Sequence, residues 1–333
     1  LANVLYFALM MASFVLGIAL GFNLMEETGY LARISFLFDH TMSKVGLQGK
    51  TIYRFLWDLL TIAGTTGTRV IDNWGQRVLA IAMSWAVPCA ATLSVVPTIA
   101  IALFGSTGGF LVIVSIFLFM FLMMWVVYRI FGDSLSPKSE RVGLIMELPP
   151  YHKPDFRNIL YVTFQRTFDI FCRALRVISI VSIVFFADYG FGGNAESSIL
   201  YRFGKVIEPV TMFFGLKWQA FLAFCASAIS KESLLGVLNT LYGTGGSLVS
   251  STFGAKVAGS ASGISEILSA NFTQAQGLAF IFAISFNMPC ISALAATARE
   301  THSVKWTAKI GAFYTVAALI VSCIVYHIRL LIF

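Results

Sequence analysis

The amino-acid sequence predicts an all-α integral membrane protein, a polytopic bundle of about seven or eight segments with interrupted helices and an internal repeat. Three observations carry this. Only 12% of the 333 residues are charged, against 58% hydrophobic, whereas a soluble domain carries about 25% charged residues. The chain therefore lacks the charges a water-facing surface needs, and its mean hydropathy is +0.82. Charge-free runs such as 1–25 and 78–104 recur; at about 1.5 Å per residue they are long enough to cross a hydrocarbon core of about 30 Å. Prolines and charges also fall inside several apolar runs, where they break regular helices.

The elements follow in order. The run 1–25 stops at Glu26-Glu27, which reads either as an interfacial anchor or as a first contact for cations. Arg33, Asp39, Lys44 and Lys50 are then spaced among apolar residues, as in an interfacial amphipathic helix. Residues 51–71 are apolar but hold Arg54, Asp58 and Gly64-Thr65-Thr66-Gly67-Thr68, the pattern of a broken or re-entrant segment. Pro88 and Pro97 predict a kinked or interrupted helix within 78–104, and 110–128 is a plainer span. The hydrophilic stretch 129–158, with a basic excess, is expected on the cytoplasmic side, and a helix follows at about 156–173. Further segments are expected at 174–190, 196–206 and 216–242, then a Gly/Ser-rich loop at 243–263 and two spans, 277–298 and 307–328.

The net charge of +7 is scattered over the connections, which orients loops and does not indicate nucleic acid. The chain starts at Leu1 and enters an apolar run with no cleavage site before it, so that run is not read as a signal peptide and the natural N-terminus is expected to lie further upstream. The five cysteines lie in or beside apolar stretches without a CxxC pair, so disulfides are not expected. Gly49-Lys50-Thr51 resembles the end of a phosphate-binding loop, but Lys44 stands where that loop needs glycine. No grouping for nucleophilic or zinc catalysis is present, so the reading is of a non-enzyme with no bound cofactor.

Arg33, Asp39, Gly46 and Leu47 correspond to Arg202, Glu208, Gly215 and Leu216, each pair 169 residues apart, and each copy ends on a Pro-Cys pair, Pro88-Cys89 and Pro289-Cys290. Such symmetry points to a transporter and its binding site. A proline inside a span frees a carbonyl and the adjacent thiol is a soft donor, so Cys89 and Cys290 are candidate transition-metal ligands, with Met288 adding a thioether. The plainer reading is a kink beside a small packed residue. Lys231-Glu232 lies in mid-segment, where charge costs about 2.5 kcal/mol or more. Glu232 is then a further candidate on a transport path; the alternative places both residues at an interface.

Several stretches resemble the membrane region of the ferrous iron transporter B family. Met25-Glu26-Glu27-Thr28-Gly29-Tyr30-Leu31-Ala32-Arg33 is similar to its "EDSGYMAR" element, and Glu147-Leu148-Pro149-Pro150-Tyr151 to its "ELPPY" loop. Lys231-Glu232 stands at its "AKE", Asn287-Met288-Pro289-Cys290 at its "YTPC", and Arg299-Glu300 and Lys305-Trp306 follow in order. One departure is clear: Leu59-Leu60-Thr61-Ile62-Ala63-Gly64 replaces the family's "GxGCNVP" motif, and Thr92 and Ser94 replace an Arg and a Pro after Cys89.

The resemblance implies two gate-like halves, 1–128 and 174–333, joined by a cytoplasmic loop and amphipathic helix at 129–173. It implies Fe(II) as cargo moved into the cytoplasm, a multi-pass location in the cell inner membrane, and the lipid bilayer as partner. It also implies a GTP-binding domain, in cis before Leu1 or in trans, and is compatible with a homo-oligomer. The competing readings are a gate-fold transporter of an organic solute such as a nucleoside, and a non-transporting assembly partner. The cytoplasmic placement of 129–158 has a direct test: Ser139→Cys in intact cells should resist an impermeant thiol reagent added outside, and ready labelling would reverse the topology.

Overall fold

The computed structural model describes residues 2–40, 51, 71, 73–135, 154–165, 167–169, 171–172, 175–176, 199–229, 231, 234, 238 and 271–332. Most of the expected segments at 51–71 and 174–190, most of the hydrophilic loop, the Gly/Ser-rich stretch and Glu232 lie outside these residues. The described residues are helical, without strands. In chain order the helices are α1 (Ala2–Glu27), α2 (Tyr30–Leu37), α3 (Trp74–Ser84), α4 (Ala90–Leu135), α5 (Ile199–Phe213), α6 (Trp218–Ile229), α7 (Gln274–Phe286), α8 (Ile291–Thr301) and α9 (Val304–Ile332). Residues 156–165 are helical too.

Two helices are long and apolar enough to cross a membrane among the described residues, 91–135 and 304–331. A third candidate is bent by 91° between Gly204–Phe213 and Trp218–Ile229. α4 is too long for one crossing. It turns at Gly105, whose φ of 71° and ψ of −177° are open essentially to glycine alone, and the chain returns from there to Leu135. The helix continues through Pro97, so of the two prolines expected to break 78–104 only Pro88 does.

α9 is the axis of the bundle. At one end its Trp306 meets Trp74 of α3 edge-on at 6.5 Å and Phe131 of α4 at 6.4 Å. Trp74 Nε1 also donates to Thr301 O at 2.9 Å. At the other end Arg329 donates to Gln274 Oε1 of α7 at 3.0 Å, and Ser322 Oγ donates to Phe214 O and Ala279 O. α3 therefore enters from the Trp306 end and α7 from the opposite, His327 end.

Both entering helices are short. The 11 residues of α3 and 13 of α7 rise about 17 and 20 Å, less than a hydrocarbon core of about 30 Å. Each stops inside the bundle, at 85–89 and 287–290, and a second helix continues, α4 after the first break and α8 after the second. The expected span 277–298 is two half-helices, because Pro289 has no N–H to continue the ladder. The two broken spans run in opposite directions between the same ends.

Residues 156–165 lie against α1 through a seam of Ile159 and Thr163, where Asn23 Nδ2 donates to Thr163 Oγ1 at 2.7 Å. Phe156, Leu160, Tyr161 and Phe164 face outward.

The bend between α5 and α6 depends on Gly215, at φ +76° and directly against the Tyr326 ring. Gly215→Ala should cost about 1–3 kcal/mol, read as a lowered melting temperature in detergent. Gly21→Ala, in a helix with nothing near its added methyl, should be neutral or stabilise by up to about 1 kcal/mol.

Candidate functional site

The two breaks meet over one residue of α9. A Cβ placed on Gly311 would stand 4.0 Å from Met288 Sδ and 4.0 Å from the Trp85 ring. Trp85 belongs to the first break and Met288 to the second, so the structure brings them to the same level of the bundle.

How the helices begin there is informative. At the polar ends of the bundle the starts are capped conventionally. Asn73 Oδ1 accepts from Gly75 N at 2.9 Å at the start of α3, and Thr273 with Gln276 closes a capping box on α7. At the breaks, cysteine holds the same position. Cys89 O accepts the first helical bond of α4, from Leu93 N at 2.9 Å, and Cys290 O accepts from Leu294 N at 3.0 Å in α8. Cys290 makes no side-chain cap bond, and Cys89 Sγ lies 3.3 Å from Thr92 Oγ1. Sulfur is a weak acceptor, so capping does not explain cysteine at both positions.

How the helices end there is equally specific. The last carbonyls of α3 and α7 have no helical donor. Ala82 O in the last turn of α3 accepts from the fully buried Tyr314 Oη at 2.7 Å. Ile284 O in the last turn of α7 accepts from Lys231 Nζ at 3.3 Å. Ser84 Oγ turns back to Ile81 O and Ser285 Oγ to Ile281 O, the same device on both sides. Asn287 ties the second break to α6: its Nδ2 donates to Phe224 O at 3.2 Å and Ser227 Oγ at 2.9 Å, and its Oδ1 accepts from Met288 N at 2.8 Å.

Lys231 is 9% exposed, buried among the packed helices. It lines a small recess of about 10 Å³ with Thr92, Val95, Val96, Ser227, Leu234 and Ile284. Of the four candidates, Cys89, Met288 and Cys290 lie half-buried at the breaks, while Glu232 is outside the described residues. Among the described residues no three His, Cys, Asp or Glu side chains gather into a metal-holding group.

Tyr314, Asn287, Ser227 and the serine pair were not singled out from sequence. A signal for the serines existed, since Ser84 and Ser285 share the 201-residue offset of Pro88 and Pro289. Toward the Trp306 end, the buried side chains of Gln76, Trp85 and Thr297 carry polar atoms without a hydrogen-bond partner among the described residues, all on α3, α8 and the first break.

Asn287→Ala removes three bonds at once and strands Met288 N. A loss of about 2–4 kcal/mol is expected, seen as a lower melting temperature; an unchanged value would separate α6 from the second break.

Residues 110–304, more than half of the chain, match the Gate family, described as "Nucleoside recognition". The Fe(2+) transporter FeoB of Escherichia coli (strain K12), of Shigella flexneri and of Salmonella typhimurium (strain LT2) are each 31% identical over 230 residues, covering 66% of this chain and 30% of each relative. The chain thus spans about 30% of the length of these curated relatives. No solved structure matches. A bundle with paired broken helices, this family match and this identity lead to one conclusion: the chain belongs to the Gate family and is a multi-pass membrane protein with a membrane region of the FeoB type.

Proposed function

We propose that the chain carries Fe(II), or a divalent transition-metal ion of similar chemistry, across the membrane and into the cytoplasm along the paired breaks. The carrying observation is cysteine at the start of both interior half-helices, with Met288 beside the second. Thiol and thioether donors suit a borderline ion, and few of them per site allow release. Cys89, Met288 and Cys290 would offer sulfur, and Glu232 a carboxylate. Residues 1–128 and 174–333 supply the two halves of the path, joined through 129–173. The buried unpartnered groups Gln76, Trp85 and Thr297 extend it toward the Trp306 end, because such groups mark where water or a ligand is accommodated.

The relatives are Fe(2+) transporters by name, which supports the cargo. A GTP-binding domain acting in cis or in trans would supply regulation or energy. The family description supports a second reading, a nucleoside-like solute. The recess beside Lys231, with a cavity volume of about 10 Å³, has room for about one water molecule and weighs against it, since small-molecule pockets occupy about 300–1,000 Å³.

The test is Fe(II) uptake by proteoliposomes at matched protein incorporation. Cys290→Ser should lower uptake about tenfold or more, the scale on which metal sites respond to altered ligation. Cys323→Ser is the control, since Cys323 lies against Phe213 O and His327 at the other end. Equal uptake by the two would leave Cys290 a packed residue. Uridine uptake by the same vesicles without Fe(II) uptake would favour the second reading.

A further inference from the structure

We infer that Lys231 is a tethered cation that holds the cargo position at the second break, so that a cargo ion advances only by displacing it. This role deepens the metal-transport reading and rests on it for the identity of the cargo.

The argument starts from what an ammonium group needs. It carries three donors, and burial of an unpaired charge in an apolar bundle is strongly unfavourable. The partner of Lys231 Nζ among the described residues is a backbone carbonyl, Ile284 O at 3.3 Å. Among the described residues, what else favours the charge is the surrounding geometry. α7 ends at Phe286 and α6 ends at Ile229, two residues before Lys231. A helix C-terminus carries about half a negative charge, and two of them border this recess. The hydroxyl-bearing Thr92 and Ser227 line the same space. Carbonyl and hydroxyl oxygens at helix C-termini make an environment suited to a cation, and the side chain seen there is one.

A divalent ion moving past Met288 and Cys290 would meet that environment already filled. Sharing Ile284 O would set an ion beside an ammonium, and the two are repelled strongly where the local dielectric is low. The four-carbon stem of lysine lets Nζ withdraw without moving the backbone, so displacement needs no unfolding of α7. The consequence is kinetic as well as energetic. Lys231 weakens ion binding, and by returning to Ile284 O it drives the ion off, which is what turnover requires. The first break differs, because its freed carbonyl is held by the neutral Tyr314 Oη.

Two measurements test this on the full chain. Lys231→Met keeps the stem and removes the charge. In proteoliposomes taking up Fe(II), its KM should fall about tenfold and its kcat should fall as release slows, at matched incorporation. A KM that stays level or rises in a transporting background overturns the role. The second measurement does not depend on cargo. In Lys231→Ala, n-propylammonium replaces the missing atoms and should raise the melting temperature by mass action, while equal n-propanol should not. Equal effects of the two overturn the role. If the parent chain takes up no Fe(II) while propylammonium alone stabilises Lys231→Ala, the cargo assignment falls and the tethered cation stands. If the parent takes up Fe(II) but neither Lys231 variant behaves as described, transport stands and Lys231 is only structural.

Discussion

A backbone carbonyl released inside an apolar bundle has no water to turn to, and leaving it unbonded costs several kcal/mol. Breaking two helices at Pro88 and Pro289 releases such groups twice at the same level, and the arrangement around them follows from that cost. Tyr314 crosses from α9 to Ala82 O, Lys231 reaches Ile284 O, and Asn287 binds back to α6. These are also contacts that hold α3, α6, α7 and α9 in register. The groups that make the breaks tolerable are thus the groups that locate the half-helices, and the polar interior and the fold have one cause.

The two breaks answer the same demand differently. A phenol oxygen on a through-going helix is a fixed, neutral partner, since Tyr314 is fully buried and its ring stands 5.8 Å from Trp85. A lysine at the end of α6 is charged and flexible. The first half has also lost the motif that its family resemblance would place after Lys50, with Leu59-Leu60-Thr61-Ile62-Ala63-Gly64 there instead. Both differences point the same way. On the proposed reading, the first break is a static wall of the path and the second holds the exchangeable charge.

The sequence displayed the fold class through its lack of charge, and the two breaks through Pro-Cys pairs. It also marked Lys231, because a cation in mid-segment demands a reason. Hydropathy alone did not display that 277–298 is two helices; only the Pro-Cys pair marked the break. Phe280 to Phe286 and Ile291 to Leu294 are apolar on both sides of the break, so hydropathy runs through it without change. Nor did it separate Pro88 from Pro97. Both lack an N–H, and the helix stops at one and continues through the other, which composition does not encode. Tyr314 and Asn287 were hidden for a related reason: a single polar group in an apolar run is defined by the carbonyl it reaches, 232 and 63 residues away. The opposed directions of the two broken spans depend on which ends meet α9, information that lies in tertiary contacts.

α9 sets the geometry within which any exchange at the breaks must occur. It runs 29 residues without interruption, about 43 Å, and touches both ends and both breaks. α3 and α7 each reach only part of that distance, from opposite ends, so the interior polar level is separated from either surface by less than one full helix. A cargo ion held there needs a route past a half-helix on one side and past the opposite half-helix on the other. Rocking one broken span against the α9 axis would open a single side, because α3 and α7 are anchored at different ends by Trp74 and Gln274. Opening both at once would require releasing both anchors. If the chain is a carrier as proposed, the inverted placement of the half-helices supplies the mutual exclusion that this needs.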